Sequence, residues 1–119
     1  MQKTEIRRGD VFYANLEPVF GSETGKTRPV LIIQNDIGNK YASTTIVAVI
    51  TEYSEKKASF PICVSVSKEE GGLKKKSIVN LSQIRTIDKR RLQIRKIGTL
   101  KEKTMKMVDI ALKNSLALI

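Results

Sequence analysis

The chain has no histidine, a single cysteine (Cys63), and few acids: 12 Asp and Glu stand against 22 Lys and Arg. Each shortage removes a class of function. Without histidine there is no Ser–His or Cys–His nucleophilic catalysis, and one thiol alone cannot supply the usual ligand set of a zinc site. A lone cysteine also forms no internal disulfide, which fits a reducing cytoplasm. Long apolar runs are missing as well. The longest, residues 30–33 and 46–50, fall far short of the roughly 18 residues that cross a bilayer, so no membrane span is expected. The opening MQKTEIRRGD has no apolar stretch of the kind that directs export. The acid deficit leaves a net charge of +10. That favours an anionic partner, whether nucleic acid, an acidic protein segment or a lipid surface, and charge alone does not choose among them.

What is present is organised around residues 21–36, GSETGKTRPVLIIQND. Gly21 and Gly25 bracket a polar loop, and Pro29 pushes Arg28 out of the helical region into extended backbone. Behind the arginine, residues 30–33 are too short for a helix and rich in β-branched side chains, so they read as a central strand. Arg28 is thereby expected at a strand mouth beside a flexible loop, a common way to build a site. GSETGKT is not a phosphate-binding P-loop, because only three residues separate its glycines.

A length of 119 residues suits one domain, residues 1–119. Alternating and β-branched stretches predict strands over residues 11–16, 29–34, 44–51, 60–67, 77–87 and 92–97, with Pro61 marking an edge strand. Residues 35–39 read as a turn, and 52–59 and 71–76 as loops. Short strands at near-regular spacing argue for a small antiparallel barrel or sandwich. At Thr99 the period changes. Thr99 and Glu102 form a capping-box pattern, and Met105, Val108, Leu112, Leu116 and Ile119 follow at helical spacing. Met107, Ile110, Ala111 and Ala117 widen the apolar face beyond one contact, which predicts packing on the sheet and room for a second copy.

Among polar residues Arg28 carries the most chemistry. A guanidinium has five donors and a permanent charge, suited to clamping a phosphate and stabilising a phosphorane; the plainer reading is an ion-paired surface arginine. Thr51 ends the strand TTIVAVIT where its hydroxyl would face the same mouth, though threonine there is also a simple β-former. Ser22 and Glu23 suit base-edge or 2′-hydroxyl contacts and Phe20 suits base stacking, or all three are solvated turn residues. Residues 74–76, Arg85 and residues 89–91 read as a solvated basic face that would add salt-dependent, sequence-blind affinity.

The ordered blocks RRGDVFYANLEPVFGSETGKTRPVLIIQND, IVAVIT, NLSQIRTIDKRRL and SLALI resemble the MazF/PemK family of toxins over nearly the whole chain. The resemblance implies a mainly β fold, a small SH3-like antiparallel β-barrel with a C-terminal α-helix, acting as a homodimer. It further implies a type II toxin–antitoxin endoribonuclease that cuts single-stranded mRNA at specific sequences, leaving 2′,3′-cyclic phosphate and 5′-hydroxyl ends. Neither metal nor cofactor is implied, and the protein partner would be an acidic, MazE-like antitoxin lying in the RNA groove. Carried onto this chain, the family's catalytic pair falls on Arg28, in GKTRPV, and on Thr51. RNA contacts fall on Phe20, Ser22, Glu23, Ser77 and Gln83. Arg28 would hold the phosphorane and give the leaving-group proton, Thr51 would orient the phosphate, and Glu23, a water or the substrate itself would be the base. Residues 53–59 and 71–76 match no family pattern. Two rival readings make opposite forecasts: a gyrase-inhibiting toxin on the same barrel would not cut RNA, and a non-catalytic RNA-binding barrel would bind it without turnover.

Overall fold

A computed structural model describes residues 5–118. Six strands form one antiparallel sheet, β1 Asp10–Asn15, β2 Thr27–Ile32, β3 Thr44–Glu52, β4 Cys63–Val66, β5 Ser77–Asp88 and β6 Gly98–Thr99, in the spatial order β4-β5-β3-β2-β1-β6. The sheet curls into a half-barrel whose edges, β4 and β6, do not pair with each other. The central position of β2 and β3 follows from their composition: Val30, Leu31 and Ile32, and residues 47–50, are buried on both faces. β4 lies at an edge as Pro61 suggests, although the strand starts two residues after the proline. Its alternation holds, with Val64 and Val66 buried and Ser65 exposed.

Strand alternation divides the apolar side chains into two layers. Leu31, Ala48, Ile50, Val64, Val66 and Val79 join Val108 and Ala111 of helix α3, Glu102–Leu116, in one cluster. Val30, Ile32, Val47 and Val49 join Phe12, Ala14 and Leu16 in the other. α3 is longer and more apolar than its seat requires: Met107 and Ile110 point away from the core, and so does Leu116, which the helical spacing had placed in the packed stripe. Ile119 lies outside the described residues. No helix among the described residues is long and apolar enough to cross a membrane.

Four expectations from the sequence need correction. Residues 35–39 are not an open turn but the start of a short helix, α1 Asp36–Tyr41, because the Asn35 side chain accepts from Gly38 N at 2.8 Å and caps it. The loop at 52–59 contains α2 Glu55–Ala58, capped in the same way by Ser54. Residues 92–97 are not a strand: Leu92 makes one isolated bridge to Ala14, and only Gly98 and Thr99 pair with β1. Leu92 and Ile97 pack against the core at the two ends of the segment, but Gln93, Ile94, Arg95 and Lys96 between them are all exposed, so no alternating buried face runs along it. The Thr99–Glu102 capping box does not form either. Thr99 belongs to β6 and donates to Asp10 Oδ1 at 2.9 Å, while Glu70 Oε2 accepts from Lys101 N at 3.1 Å at the helix start.

Candidate active site

The register of the two central strands decides where Arg28 and Thr51 sit. β2 and β3 pair Val30 with Val49, Leu31 with Ala48 and Ile32 with Val47. The ladder ends at Val30; its register, continued two residues toward the strand mouth, brings Arg28 level with Thr51 on the side of Val30 and Val49. Both remain inside the sheet, since Arg28 pairs with Ala14 of β1 and Thr51 with Ile78 of β5. Each is half-buried.

Arg28 is held but not neutralised. Its Nε donates to the Gly25 carbonyl at 3.0 Å, a bond that does not use the four Nη hydrogens of the guanidinium. Among the described residues no carboxylate pairs with it. Thr51 Oγ1 accepts from Lys57 Nζ at 3.4 Å, so a second cation, carried by α2, stands beside the hydroxyl. Neither composition nor resemblance had singled out Lys57, which lies in a segment without a family pattern. Its only visible signal was the Lys56-Lys57 pair. Cys63 shares this face through its pairing with Asn80; burial pushes its thiol up, opposed by the nearby Lys57 charge.

The loop of residues 17–26 leads into β2 from a braced root. Leu16 N donates to Lys26 O at 2.9 Å, Arg85 Nη1 to Leu16 O at 2.6 Å, and Arg91 Nη1 to Asn15 O at 3.1 Å. At the tip, Glu23 Oε1 accepts from Phe20 N at 2.6 Å while Glu23 N donates back to Phe20 O at 3.2 Å. This tight turn places Gly21 at φ 58°, a left-handed position suited to glycine, and leaves the Phe20 ring 87% exposed. Ser22 is exposed at the same tip. Thus the Glu23 carboxylate shapes the loop, and the loop presents Phe20.

Gln83 reaches the loop from below. β5 bulges opposite β3: Asn80 pairs with Val49 and Ile84 with Ala48, so residues 81–83 have no partner on β3. The bulge turns Gln83 toward the loop, where its Oε1 accepts from Thr24 N at 3.3 Å. Ser77 is not brought to this site. It pairs with Glu52 and with Val66, hence lies on the helix-side face, is buried, and donates its hydroxyl to Lys75 O at 2.8 Å. Arg28, through Gly25, and Gln83, through Thr24, are thus tied to the loop that carries Phe20, Ser22 and Glu23, Thr51 is joined by Lys57, and Ser77 lies on the other face of the sheet.

Such a mouth offers two cations without acidic partners, one hydroxyl and an exposed ring. These are the parts that grip a phosphodiester and stack a base. Comparison with known proteins points the same way. The family model described as "PemK-like, MazF-like toxin of type II toxin-antitoxin system" matches residues 7–116. Endoribonuclease EndoA of Bacillus subtilis (strain 168) is 51% identical over 114 residues, covering 96% of this chain and 97% of that protein. Endoribonuclease MazF of Staphylococcus epidermidis is 53% identical over 113 residues, covering 95% and 92% respectively. The same fold recurs in an endoribonuclease solved in complex with its cognate antitoxin from a mycobacterial species. There the TM-score is 0.78 at 24% identity, over 96% of this chain and 97% of the other.

Proposed function

Since this chain belongs to the PemK-like, MazF-like toxins of type II toxin–antitoxin systems, we propose that it is an endoribonuclease toxin whose active site is the Arg28–Thr51 mouth. The observation that supports this reading is the β2–β3 register, which, continued past Val30, brings an arginine free of carboxylate partners among the described residues level with a half-buried hydroxyl. The substrate is single-stranded RNA. Its 2′-hydroxyl attacks the adjacent phosphorus in line, the 5′-oxygen leaves, and the products are a 2′,3′-cyclic phosphate and a 5′-hydroxyl.

Within that step Arg28 neutralises the charge that builds on the phosphorane, where preorganised donors act most strongly. Thr51 donates to a non-bridging oxygen and sets the orientation of the phosphate. Phe20 stacks a base near the scissile bond, with Ser22 beside it, and Gln83 steadies the loop. Because the Glu23 carboxylate is occupied by Phe20 N, its role is to shape the loop tip, and a water or the substrate itself takes the 2′-hydroxyl proton. The positive charge comes from side chains, so the reaction uses no metal.

The same reading extends to partners. The exposed apolar stripe of α3 at Met107, Ile110 and Leu116 suits a homodimer, which would carry twice +10. An acidic antitoxin segment matches that charge, and in the RNA groove it would compete with substrate. The site of action is the cytoplasm, where mRNA is found.

The test is incubation of the pure protein with defined single-stranded RNAs in EDTA, with mapping of cut positions and end groups. Cutting at discrete sites with cyclic phosphate ends is expected. RNA binding without cutting would leave only a binding barrel; no effect on RNA with inhibition of gyrase would replace the reading altogether. Addition of a cognate antitoxin should abolish cutting, and a ternary complex with unchanged RNA affinity would remove the competition.

A further inference from the structure

We propose that Lys57 is the general acid of this reaction, giving its proton to the departing 5′-oxygen. The assignment rests on the endoribonuclease reading and deepens it by filling the one role that Arg28 performs poorly. A delocalised guanidinium scarcely releases a proton. A localised ammonium does so far more readily.

Three observations support the choice. Lys57 Nζ is 3.4 Å from Thr51 Oγ1, so a phosphate oriented by that hydroxyl has a bridging oxygen within the sweep of the lysine side chain. The lysine is positioned by its backbone: Ser54 Oγ caps α2 by accepting from Lys57 N at 3.1 Å, and Lys57 is half-buried while its neighbour Lys56 is exposed. Finally, among the described residues no carboxylate pairs with Lys57, so its ammonium is held at the mouth by the Thr51 hydroxyl and not by an acid.

The step balances without another reagent. The 2′-hydroxyl gives its proton to water as the O2′–P bond forms. The P–O5′ bond breaks with its electron pair on the 5′-oxygen, which takes a proton from Lys57 Nζ. The resulting neutral amine is reprotonated by solvent before the next turnover. Arg28 keeps its proton throughout and holds the charge on the non-bridging oxygens.

A substrate with sulfur in place of the 5′-bridging oxygen separates proton donation from charge, because a thiolate leaves without being protonated. Lys57→Met and Lys57→Arg are each compared with wild type on an oxygen-bridged RNA and its 5′-phosphorothiolate counterpart. Both variants should cut the oxygen substrate at least about 100-fold more slowly, the lower range for loss of a general acid; Lys57→Arg, which keeps the charge, should cut the sulfur substrate at close to the wild-type rate, and Lys57→Met should lose far less on sulfur than on oxygen. That second rate also shows that the variants are folded. Equal loss on both substrates, a Lys57→Arg enzyme as fast as wild type on the oxygen substrate, or no loss at all would each overturn the role of Lys57 while leaving the nuclease intact. A wild-type protein that cuts neither substrate would overturn the nuclease reading, and this assignment with it.

Discussion

The two ends of strand β2 use arginine in opposite ways. Just beyond its far end, Arg8 is woven into the fold: Nε donates to Ile33 O at 2.9 Å, Nη2 to Asp109 of α3 at 2.6 Å, and the backbone N to Asp36 at 2.6 Å. At the mouth Arg28 has one carbonyl contact and no acid among the described residues. A guanidinium whose charge and donors are already matched stabilises a fold but has little left for a ligand. One that is oriented yet unmatched costs stability and keeps its donors for substrate. The difference marks which end of the sheet is scaffold and which is site.

The strongest way to break the contrast is Arg28→Ala. Cleavage of single-stranded RNA should fall about 1,000-fold, equivalent to about 4 kcal/mol of transition-state stabilisation, with the melting temperature essentially unchanged. Kinetics and a thermal melt on the same preparation check both halves. Loss of fold along with activity would mean that the mouth is scaffold too.

Arg8→Ala should do the reverse. It removes a partly exposed pair together with a hydrogen bond to a backbone carbonyl, and should lower unfolding free energy by about 1–2 kcal/mol while leaving kcat/KM for RNA within about a factor of two at a temperature where the variant is folded. Urea unfolding followed by circular dichroism gives the first number. A variant as stable as wild type would show that the Arg8–Asp109 link between the sheet and α3 carries no net stability.

How far the residues announced this arrangement depends on whether a local or a non-local term decides. The central strands were legible because residues 30–33 and 46–50 are apolar and β-branched with no polar face, and nothing but a buried strand accommodates that. The terminal helix was legible from its 3.6-residue period. α1 was misread because Asn35, Gly38 and Asn39 are turn formers by composition; only the reach of the Asn35 side chain to Gly38 N makes the segment helical. Strand pairing was invisible, and the site is made by pairing. Arg28 meets Thr51 through register, and Gln83 reaches the loop through a bulge. Positions 77 and 83 share parity, so a regular strand would show both on one face; the irregularity at residues 81–83 separates them, and Ser77 ends up buried behind the sheet. Lys57 escaped notice for the same reason, since its nearness to Thr51 exists only once α2 packs against the β4 edge of the sheet.

The smallest expected effect sharpens the contrast through acid. Asp88 stands at the end of β5, where Oδ1 accepts from Arg90 Nε at 3.0 Å and Arg90 N at 2.8 Å, and Oδ2 accepts from Nη2 at 3.0 Å. These bonds, the side-chain ones first, hold its carboxyl at about 2. Asp36 is likewise lowered, chiefly by the bond from Arg8 N. A carboxylate depressed in the folded state stabilises the fold above its unfolded pKa of about 3.9, and that contribution drains away as pH falls toward the folded value. Wild-type stability should therefore slope downward between about pH 4 and pH 2. Asp88→Asn keeps an oxygen for Arg90 N but has nothing to protonate, so its slope in that window should be shallower, with RNA cleavage at neutral pH untouched. Because Asp88 and Arg90 are solvated, the change is expected near the lower limit of detection in urea titrations at pH 2, 3 and 4. An unaltered slope would mean that the acid sensitivity belongs to other carboxylates. A shallower slope with slowed cleavage would mean that the braced end and the mouth are coupled after all.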